Sequence, residues 1–570
     1  MNALPKMKTA NQTIGPAWRM PGVVYPPEAD LRRYVEAGYL GRETLPEAFM
    51  RTHAAHADRP ALVGPEGTVT HREFDELTDR AAAAFLNLGL EPLDRVVFQV
   101  TNCKEMMVGL FACFKAGLIP ICTLVSHRER EIGYLANHAR ARLHFVQGDD
   151  AKFDHVEFAR RMQKDIGSLR HIVAARGPAR DGALSLQELI AREDPVAARA
   201  KVASIPRDPF QVLIFQLSGG TTGVPKIIPR FSGDYLYNMR AVSDWHGYNE
   251  MDVMYNPMPI MHNYNMVCCS GPVLLAGGAV ALAPTLDPDT MSGVLREQRP
   301  TWAVLGGPLL AKVAPAIARG EIDFSRMRGV LATSGAPKIR SMTGVPGYHV
   351  FGMTEGVIMF TRKGDAPEVL DATCGRPVSP LDHVKILKPG TEEEVPLGEV
   401  GEPAFTGPYT IRGYYDAAER NAEAFTSDGY YRSGDLMSIK VVEGKQYFVF
   451  QGRIKDVVDR AGEKINAEEV EWAVATHPAV AACAVIGAKD KVYGERVCAC
   501  IVVKPGQGAP DVAGLGEHLR QYGLAKFKWP ERIEIVSELP VTQVGKLDKN
   551  ALRARFASQG AAPAASTTKA

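Results

Sequence analysis

Residues 212–230 read VLIFQLSGGTTGVPKIIPR. VLIFQL (212–217) has the apolar run of a buried strand, and it leads directly into Ser218, Gly219, Gly220, Thr221, Thr222 and Gly223 ahead of Lys226. That composition suits a loop that holds phosphate oxygens. Glycines let backbone N–H groups come close, hydroxyls add donors, and a lysine adds charge. The spacing is not that of a G-x-x-x-x-G-K-[ST] loop, because Val224 and Pro225 separate Gly223 from Lys226 and Ile227 follows the lysine. Pro225 and Pro229 also discourage a helix. IIPR therefore reads as a returning strand, and the loop is expected at a hairpin tip. The alternative for this loop alone is a Gly-rich turn with no ligand, although ordering six Ser/Thr/Gly residues between apolar strands is entropically unfavourable.

Working outward, strands and helices alternate. EFDELTDRAAAAFLNLGL (73–90) has helical apolar spacing, DRVVFQV (94–100) reads as a strand, and RLHFVQG (142–148) and HIVAA (171–175) as further buried strands. WAVLGGP (302–308) and GVLATSGAP (329–337) read as two strand-to-loop units, the arrangement that lines a ligand crevice in α/β sheets. The expected class is α/β, with layered α/β subdomains and largely parallel sheets. From about residue 398 short β elements with turns take over and form a β-rich subdomain. After GRIKD (452–456) comes a helix–strand–strand–helix pattern, that of a small α+β domain. The first 45 residues read as an irregular lead-in, and the Ala/Ser/Thr-rich end as a disordered tail.

Bulk properties narrow the function. The 570 residues carry a net charge of +1, so no polyanion-binding surface is advertised and no nucleic-acid partner is expected. The nine cysteines form no CxxC pair and read as reduced, buried thiols. No apolar signal region opens the chain, which points to a cytoplasmic protein. MMVGLFACFKAGLIPICTLV (106–125) is long enough to span a bilayer, but Lys115 lies mid-run and Pro120 splits it; an interior helix followed by a buried strand is expected, and no membrane partner.

Further motifs accompany the loop. FGMTEG (351–356), YYRSGDL (430–436), GRIKDVVDRAGEKINAEEVE (452–471) and PVTQVGKLDK (540–549) follow SGGTTGVPK in order. Together the five resemble the signatures of the adenylate-forming superfamily: acyl- and aryl-CoA synthetases, adenylation domains and luciferases. LSGGTTGVPKIIPR, MHNYN (261–265) and GPYTIRGYY (407–415) are most similar to stand-alone aryl-acid AMP ligases, which activate 2,3-dihydroxybenzoate or salicylate. The resemblance implies a large N-terminal adenylation domain over 46–454, and a small mobile C-terminal domain over 455–557 that carries the catalytic lysine. It leaves 1–45 as lead-in and 558–570 as tail.

The implied reaction has two halves. A carboxylate attacks the α-phosphate of ATP, giving an acyl-adenylate and pyrophosphate; a thiol then expels AMP. An anion must approach a polyanion, and Mg²⁺ with a positioned lysine is the physical answer. By resemblance, Lys546 bridges the carboxylate and phosphate oxygens. Ser218, Gly219, Gly220, Thr221, Thr222, Gly223 and Lys226 hold the β- and γ-phosphates. Thr354 meets the α-phosphate, Glu355 is the Mg²⁺-associated carboxylate, and Phe351 and Gly352 belong to the same nucleotide-binding signature. Asp435, assisted by Arg453, accepts from the ribose hydroxyls, and Ser334, Gly335 and Ala336 lie along the adenine. The aryl-acid pattern has Gly where Ser334 stands, a departure that bears on the fit beside the aryl ring. Lys455 takes the hinge position.

For the acid, the resemblance assigns His262, Asn263, Tyr264, Cys268 and Ile358. Asn263 is the expected donor to the ortho-hydroxyl and carboxylate region, and Tyr264 packs on the ring. Dihydroxybenzoate enzymes of this kind usually carry Ser where Cys268 stands. A thiol is a weak donor and fills space, which suits a ring lacking the 3-hydroxyl, so salicylate is expected first and 2,3-dihydroxybenzoate second. The acceptor is a phosphopantetheine thiol, on an aryl carrier protein or in free CoA; the chain has no carrier domain of its own. A non-catalytic member would have lost Lys546, Glu355 or Asp435, and all three are present.

Overall fold

The computed structural model describes residues 14–218, 225–460, 463–490, 492–542 and 547–556. Val212–Leu217 is a strand buried along all but its last residue. It pairs in parallel with Ile119–Ile121 on one side and antiparallel with Ile227–Phe231 on the other. The full sheet runs Leu184–Ser185, His171–Ala174, Leu143–Val146, Arg95–Gln99, Ile119–Ile121, Val212–Leu217, Ile227–Phe231, and only the last pair is antiparallel. Strands covered on both faces read as continuous apolar runs, which is how these segments announce themselves.

A nine-stranded sheet belongs to the same unit. Its central run, Pro60–Gly64, Ala279–Ala281, Val253–Tyr255, Trp302–Val304, Gly329–Ala332 and Gly347–Gly352, is parallel throughout. Trp302–Val304 and Gly329–Ala332 are direct neighbours, so the loops that follow them leave the sheet side by side, as expected. Ile358–Phe360 returns antiparallel to Gly347–Gly352.

Helices cover these sheets. His71–Asn87 starts with a capping box: Thr70 Oγ1 accepts from the Glu73 N–H, and Glu73 reaches back to the Thr70 N–H. It packs on Lys104–Ala116, which is buried from Met106 onward and ends at Gly117, where φ is +71°. The apolar run from 106 is thus an interior helix followed by the strand Ile119–Ile121, as its lysine and proline implied. Among the described residues no helix is long and apolar enough to cross a membrane. The lead-in is less irregular than expected: it holds the helix Glu28–Glu36, whose Leu31 and Tyr34 are buried.

This first unit comprises the chain up to Val384 together with Phe405–Tyr431. The second comprises Lys385–Ala404 and the chain from Arg432 onward. The β-rich stretch therefore divides in its packing, with Phe405–Tyr431 in the first unit and the strands on either side in the second. In the second unit Asp435–Val442 and Lys445–Arg453 form an antiparallel pair. A five-stranded sheet follows, in which Val480–Asp490, at the edge, and Gly494–Val503 make a long hairpin. The helices Ala467–Ala475 and Val512–Tyr522 bury Val470, Val474, Leu515 and Leu519 against Val485 and Ile501. Cys498 and Cys500, two apart on one strand, face Ala484, Ile486, Leu552 and Phe556. All nine cysteines are free, and all but Cys483 are buried.

Candidate active site

The opening loop is a hairpin tip. Leu217 pairs with Ile227, the Ser218 N–H donates to Lys226 O at 3.0 Å, and the Lys226 N–H donates to Ser218 Oγ at 3.0 Å. Gly219, Gly220, Thr221, Thr222 and Gly223 lie outside the described residues. Lys226 is half-buried, with Nζ 4.5 Å from the centroid of the Tyr414 ring. Burial, seconded by Arg420, pulls its pKa down, and Glu355 and Glu423 pull the other way.

Tyr414 connects that lysine to a carboxylate. Its hydroxyl donates to Glu355 Oε1 at 2.9 Å, and the Tyr431 hydroxyl lies 2.8 Å from the Tyr414 oxygen. Since the Tyr414 proton goes to the carboxylate, Tyr431 is the donor in the second bond. Burial raises the pKa of both phenols, so both remain neutral donors.

Glu355 and Thr354 sit in the tight turn between Gly347–Gly352 and Ile358–Phe360, and both are buried. Gly356 makes this turn possible. A Cβ there would lie 2.6 Å from a Phe405 ring carbon and 2.7 Å from Thr410 Oγ1. Gly356→Ala is expected to lower stability by about 1–3 kcal/mol through overpacking, read as a drop in Tm. Phe351 is buried at the head of this turn, and Gly352 beside it is exposed.

Ser334 and Gly335 are exposed where Gly329–Ala332 gives way to the helix Ala336–Thr343, and Gly335 takes φ +83° ahead of that helix. Gly347 lets the helix approach, because a Cβ on it would lie 2.8 Å from Ala336 Cα. The Ala336 N–H donates to His349 Nε2 at 3.1 Å, so the ring proton is on Nδ1, which donates to Thr373 O. Burial lowers the His349 pKa and keeps the ring neutral.

Asn263, assigned to the acid, meets Arg230, a fully buried side chain. Its Nη1 donates to Thr354 O at 3.1 Å and to Asn263 Oδ1 at 3.4 Å, and its Nη2 faces Asp234 Oδ1 at 3.4 Å. Burial raises Asp234 to about 6 despite the guanidinium. Tyr235 donates to Asn263 Oδ1 at 3.0 Å. His262 and Tyr264, partly buried, flank Asn263 in sequence. Cys268 lies on a six-residue π-helix, Asn265–Ser270, a form common at functional sites. Its thiol is fully buried and held neutral by that burial, and the charge of Arg230 reaches it. Ile358 is buried in the strand after the Glu355 turn.

In the second unit, strand register puts Asp435 opposite Arg453, with Arg453 Nε 3.4 Å from Asp435 Oδ1. Asp435 is buried, and its N–H donates to Ser433 Oγ at 3.1 Å. Lys455 follows in the single turn Ile454–Asp456, where Asp456 pairs with Arg553 at 2.7 Å. Lys546 lies outside the described residues.

The hairpin at Ser218 and Lys226, the Glu355 turn and the Asp435–Arg453 pair describe a site whose family is settled by likeness. A family model described as AMP-binding enzyme matches residues 49–415, and one described as AMP-binding enzyme C-terminal domain matches 469–546. The chain belongs to the AMP-binding enzyme family. This AMP-binding enzyme is 36% identical over 538 residues to the 2,3-dihydroxybenzoate-AMP ligase of Bacillus subtilis (strain 168), covering 92% of this chain and 96% of the relative. It is 35% identical over 541 residues to the salicylyl-CoA synthase / salicylate adenylyltransferase of a Streptomyces species, covering 93% and 97%. The solved apo structure of Mycobacterium smegmatis MbtA matches with a TM-score of 0.70 at 32% identity, covering 93% of this chain and 98% of that one. The AMP-binding enzyme is thus an adenylate-forming ligase of mixed α/β architecture with a small C-terminal α+β region.

The structure brings Lys226, Thr354 and Glu355 together in the first unit, joins Asn263 to Thr354 through Arg230, and pairs Asp435 with Arg453 in the second. The sequence reading missed Arg230, Tyr235, Tyr414 and Tyr431. All but Tyr235 lie inside stretches it quoted, yet no local spacing says that Tyr414 meets Glu355, 59 positions away.

Proposed function

We propose that this AMP-binding enzyme activates an ortho-hydroxybenzoic acid, salicylate before 2,3-dihydroxybenzoate, and passes the aryl group to a phosphopantetheine thiol of a carrier protein. The observation that carries this reading is the buried amide of Asn263, held by Arg230 and Tyr235, with the charge of Arg230 also reaching the buried, neutral Cys268 thiol. Amide and aromatic groups of that kind suit an aryl acid with an ortho-hydroxyl. The names of the relatives, which act on 2,3-dihydroxybenzoate and salicylate, point the same way.

In the first half-reaction a carboxylate oxygen bonds to the α-phosphorus of ATP, and the bond to pyrophosphate breaks. The loop residues Ser218, Gly219, Gly220, Thr221, Thr222, Gly223 and Lys226 hold the leaving pyrophosphate, Thr354 orients the α-phosphate, and Lys546 offsets charge on the approaching anions. Ser334, Gly335 and Ala336 lie along adenine, Phe351 and Gly352 belong to the same nucleotide-binding signature, and Asp435 with Arg453 holds the ribose. Among the described residues no cluster of three metal ligands exists. A lone buried carboxylate, Glu355, is nonetheless the donor set Mg²⁺ takes when the substrate's phosphates supply the rest. Glu355 would hold Mg²⁺, whose charge would offset that of the polyphosphate. In the second half-reaction the thiol sulfur bonds to the acyl carbon, the thiol loses its proton, and AMP leaves. His262, Tyr264, Cys268 and Ile358 enclose the ring.

Pyrophosphate exchange over a panel of benzoic acids tests the reading, with salicylate expected to give the highest rate. Preference for the dihydroxy acid would overturn the Cys268 argument, and activity only on aliphatic acids would overturn the aryl reading. Adding CoA or a phosphopantetheinylated carrier then separates the two acceptors. The CoA-ligase alternative is carried by the Streptomyces relative, whose name includes salicylyl-CoA synthase. If Lys455 is the hinge for the C-terminal region between half-reactions, Lys455→Pro keeps pyrophosphate exchange within about threefold and lowers thioester formation by about 100-fold. Equal loss of both would sink the hinge role.

A further inference from the structure

We infer that Gln216, Tyr235 and Arg230 form a directed hydrogen-bond relay that fixes the Asn263 side chain with its N–H₂ group toward the acid, so that the enzyme selects an ortho substituent that accepts a hydrogen bond over one that donates. The inference rests on the aryl-acid reading above and narrows its substrate class.

The direction of every bond follows from one residue. Arginine carries only donors, so the Asn263 atom facing Arg230 Nη1 at 3.4 Å is the amide oxygen. Tyr235 Oη lies 3.0 Å from that same oxygen and must give it the phenolic proton. The Tyr235 oxygen is then left to accept, so Gln216, 2.9 Å away, presents its amide N–H₂. Gln216, Arg230, Tyr235 and Asn263 are all almost fully buried, so water does not scramble the order. Burial also holds the Tyr235 phenol neutral. With Oδ1 taken by two donors, reversing the Asn263 amide would set its N–H₂ against the Arg230 N–H and against the Tyr235 O–H. Asn263 Nδ2 has no partner among the described residues and is the group left to meet a ligand.

The ortho substituent responds to this polarity. In salicylate the phenolic proton bonds to the neighbouring carboxylate, and an oxygen lone pair faces outward. In anthranilate one N–H bonds to the carboxylate, the nitrogen lone pair is delocalised into the ring, and the second N–H faces outward. A fixed N–H₂ group pairs with the first acid and opposes the second. Unsubstituted benzoate offers neither contact. Tyr235, Arg230 and Gln216 touch Asn263 or its partner rather than the reacting atoms; they are positioning residues.

The test is kcat/KM for adenylate formation with salicylate, benzoate and anthranilate, on the full chain and on Tyr235→Phe, with Tm measured alongside. The full chain is expected to favour salicylate over anthranilate by about 100-fold. Tyr235→Phe is expected to lower salicylate about tenfold more than benzoate and to narrow the salicylate–anthranilate gap. If Tyr235→Phe fails to fold, Gln216→Met removes the donor at the start of the relay and is expected to narrow the same gap. Equal use of salicylate and anthranilate by the full chain, or a uniform fall across all three acids in the variant, overturns the relay while leaving the aryl reading intact. Activity on none of the three acids and none on 2,3-dihydroxybenzoate overturns the aryl reading itself.

Discussion

Lys115→Met is expected to destabilise the first unit by about 3–5 kcal/mol, enough to lower its Tm by roughly 10 °C. Lys115 is 2% exposed, and its Nζ lies 2.6 Å from Asp75 Oδ1 and 2.6 Å from Asp79 Oδ1. Arg199 closes the cluster from the outside, 2.9 Å from Asp79. Burial alone would raise the Asp75 pKa, yet the charge of Lys115 and its hydrogen bond outweigh burial and hold it below the ordinary value. Methionine matches the volume and removes the charge, leaving two buried carboxylates that share one half-exposed arginine. Without Lys115 those carboxylates favour protons, so the loss should be largest at neutral pH and shrink as pH falls toward 5. Thermal melts across that range check the claim. A Tm within 2 °C of the parent at pH 7.5 would refute it, and adding Asp75→Asn and Asp79→Asn should restore part of the loss.

Glu355→Gln should lower pyrophosphate exchange by about 10²–10³-fold while leaving the fold intact. The amide keeps the shape of the side chain, and its oxygen still accepts from Tyr414, so the bonds that position it survive. Only the negative charge is lost, and that charge is what the proposed Mg²⁺ role requires. Raising Mg²⁺ should recover some activity in the variant and little in the parent. A variant within tenfold of the parent at every Mg²⁺ concentration would remove Glu355 from the metal role.

Strands were legible where both faces are covered, since VLIFQL and HIVAA contain little but core residues. The hairpin at Ser218–Lys226 was legible because two prolines and a displaced lysine ruled out the helical alternative. Lys115 spoke against a membrane span, but its two carboxylate partners lie in a different helix and were beyond any local reading. The same holds for Arg230, Tyr235, Tyr414 and Tyr431, whose roles depend on which segments the sheets bring together. The π-helix at Asn265–Ser270 is likewise set by packing, because MHNYNMVCCS carries no local signal for an extra residue per turn. The grouping of Lys385–Ala404 with the C-terminal unit was hidden too, since the chain leaves and re-enters that unit without a change in composition.

Gln216 stands two positions before Ser218, on the strand that feeds the glycine-rich loop. On the roles proposed above, nucleotide grip and acid reading share this piece of backbone. On the proposed roles, efforts to retune the enzyme for new acids would meet this linkage at Gln216, whereas Cys268, on the separate π-helix, is the position at which selectivity can vary alone.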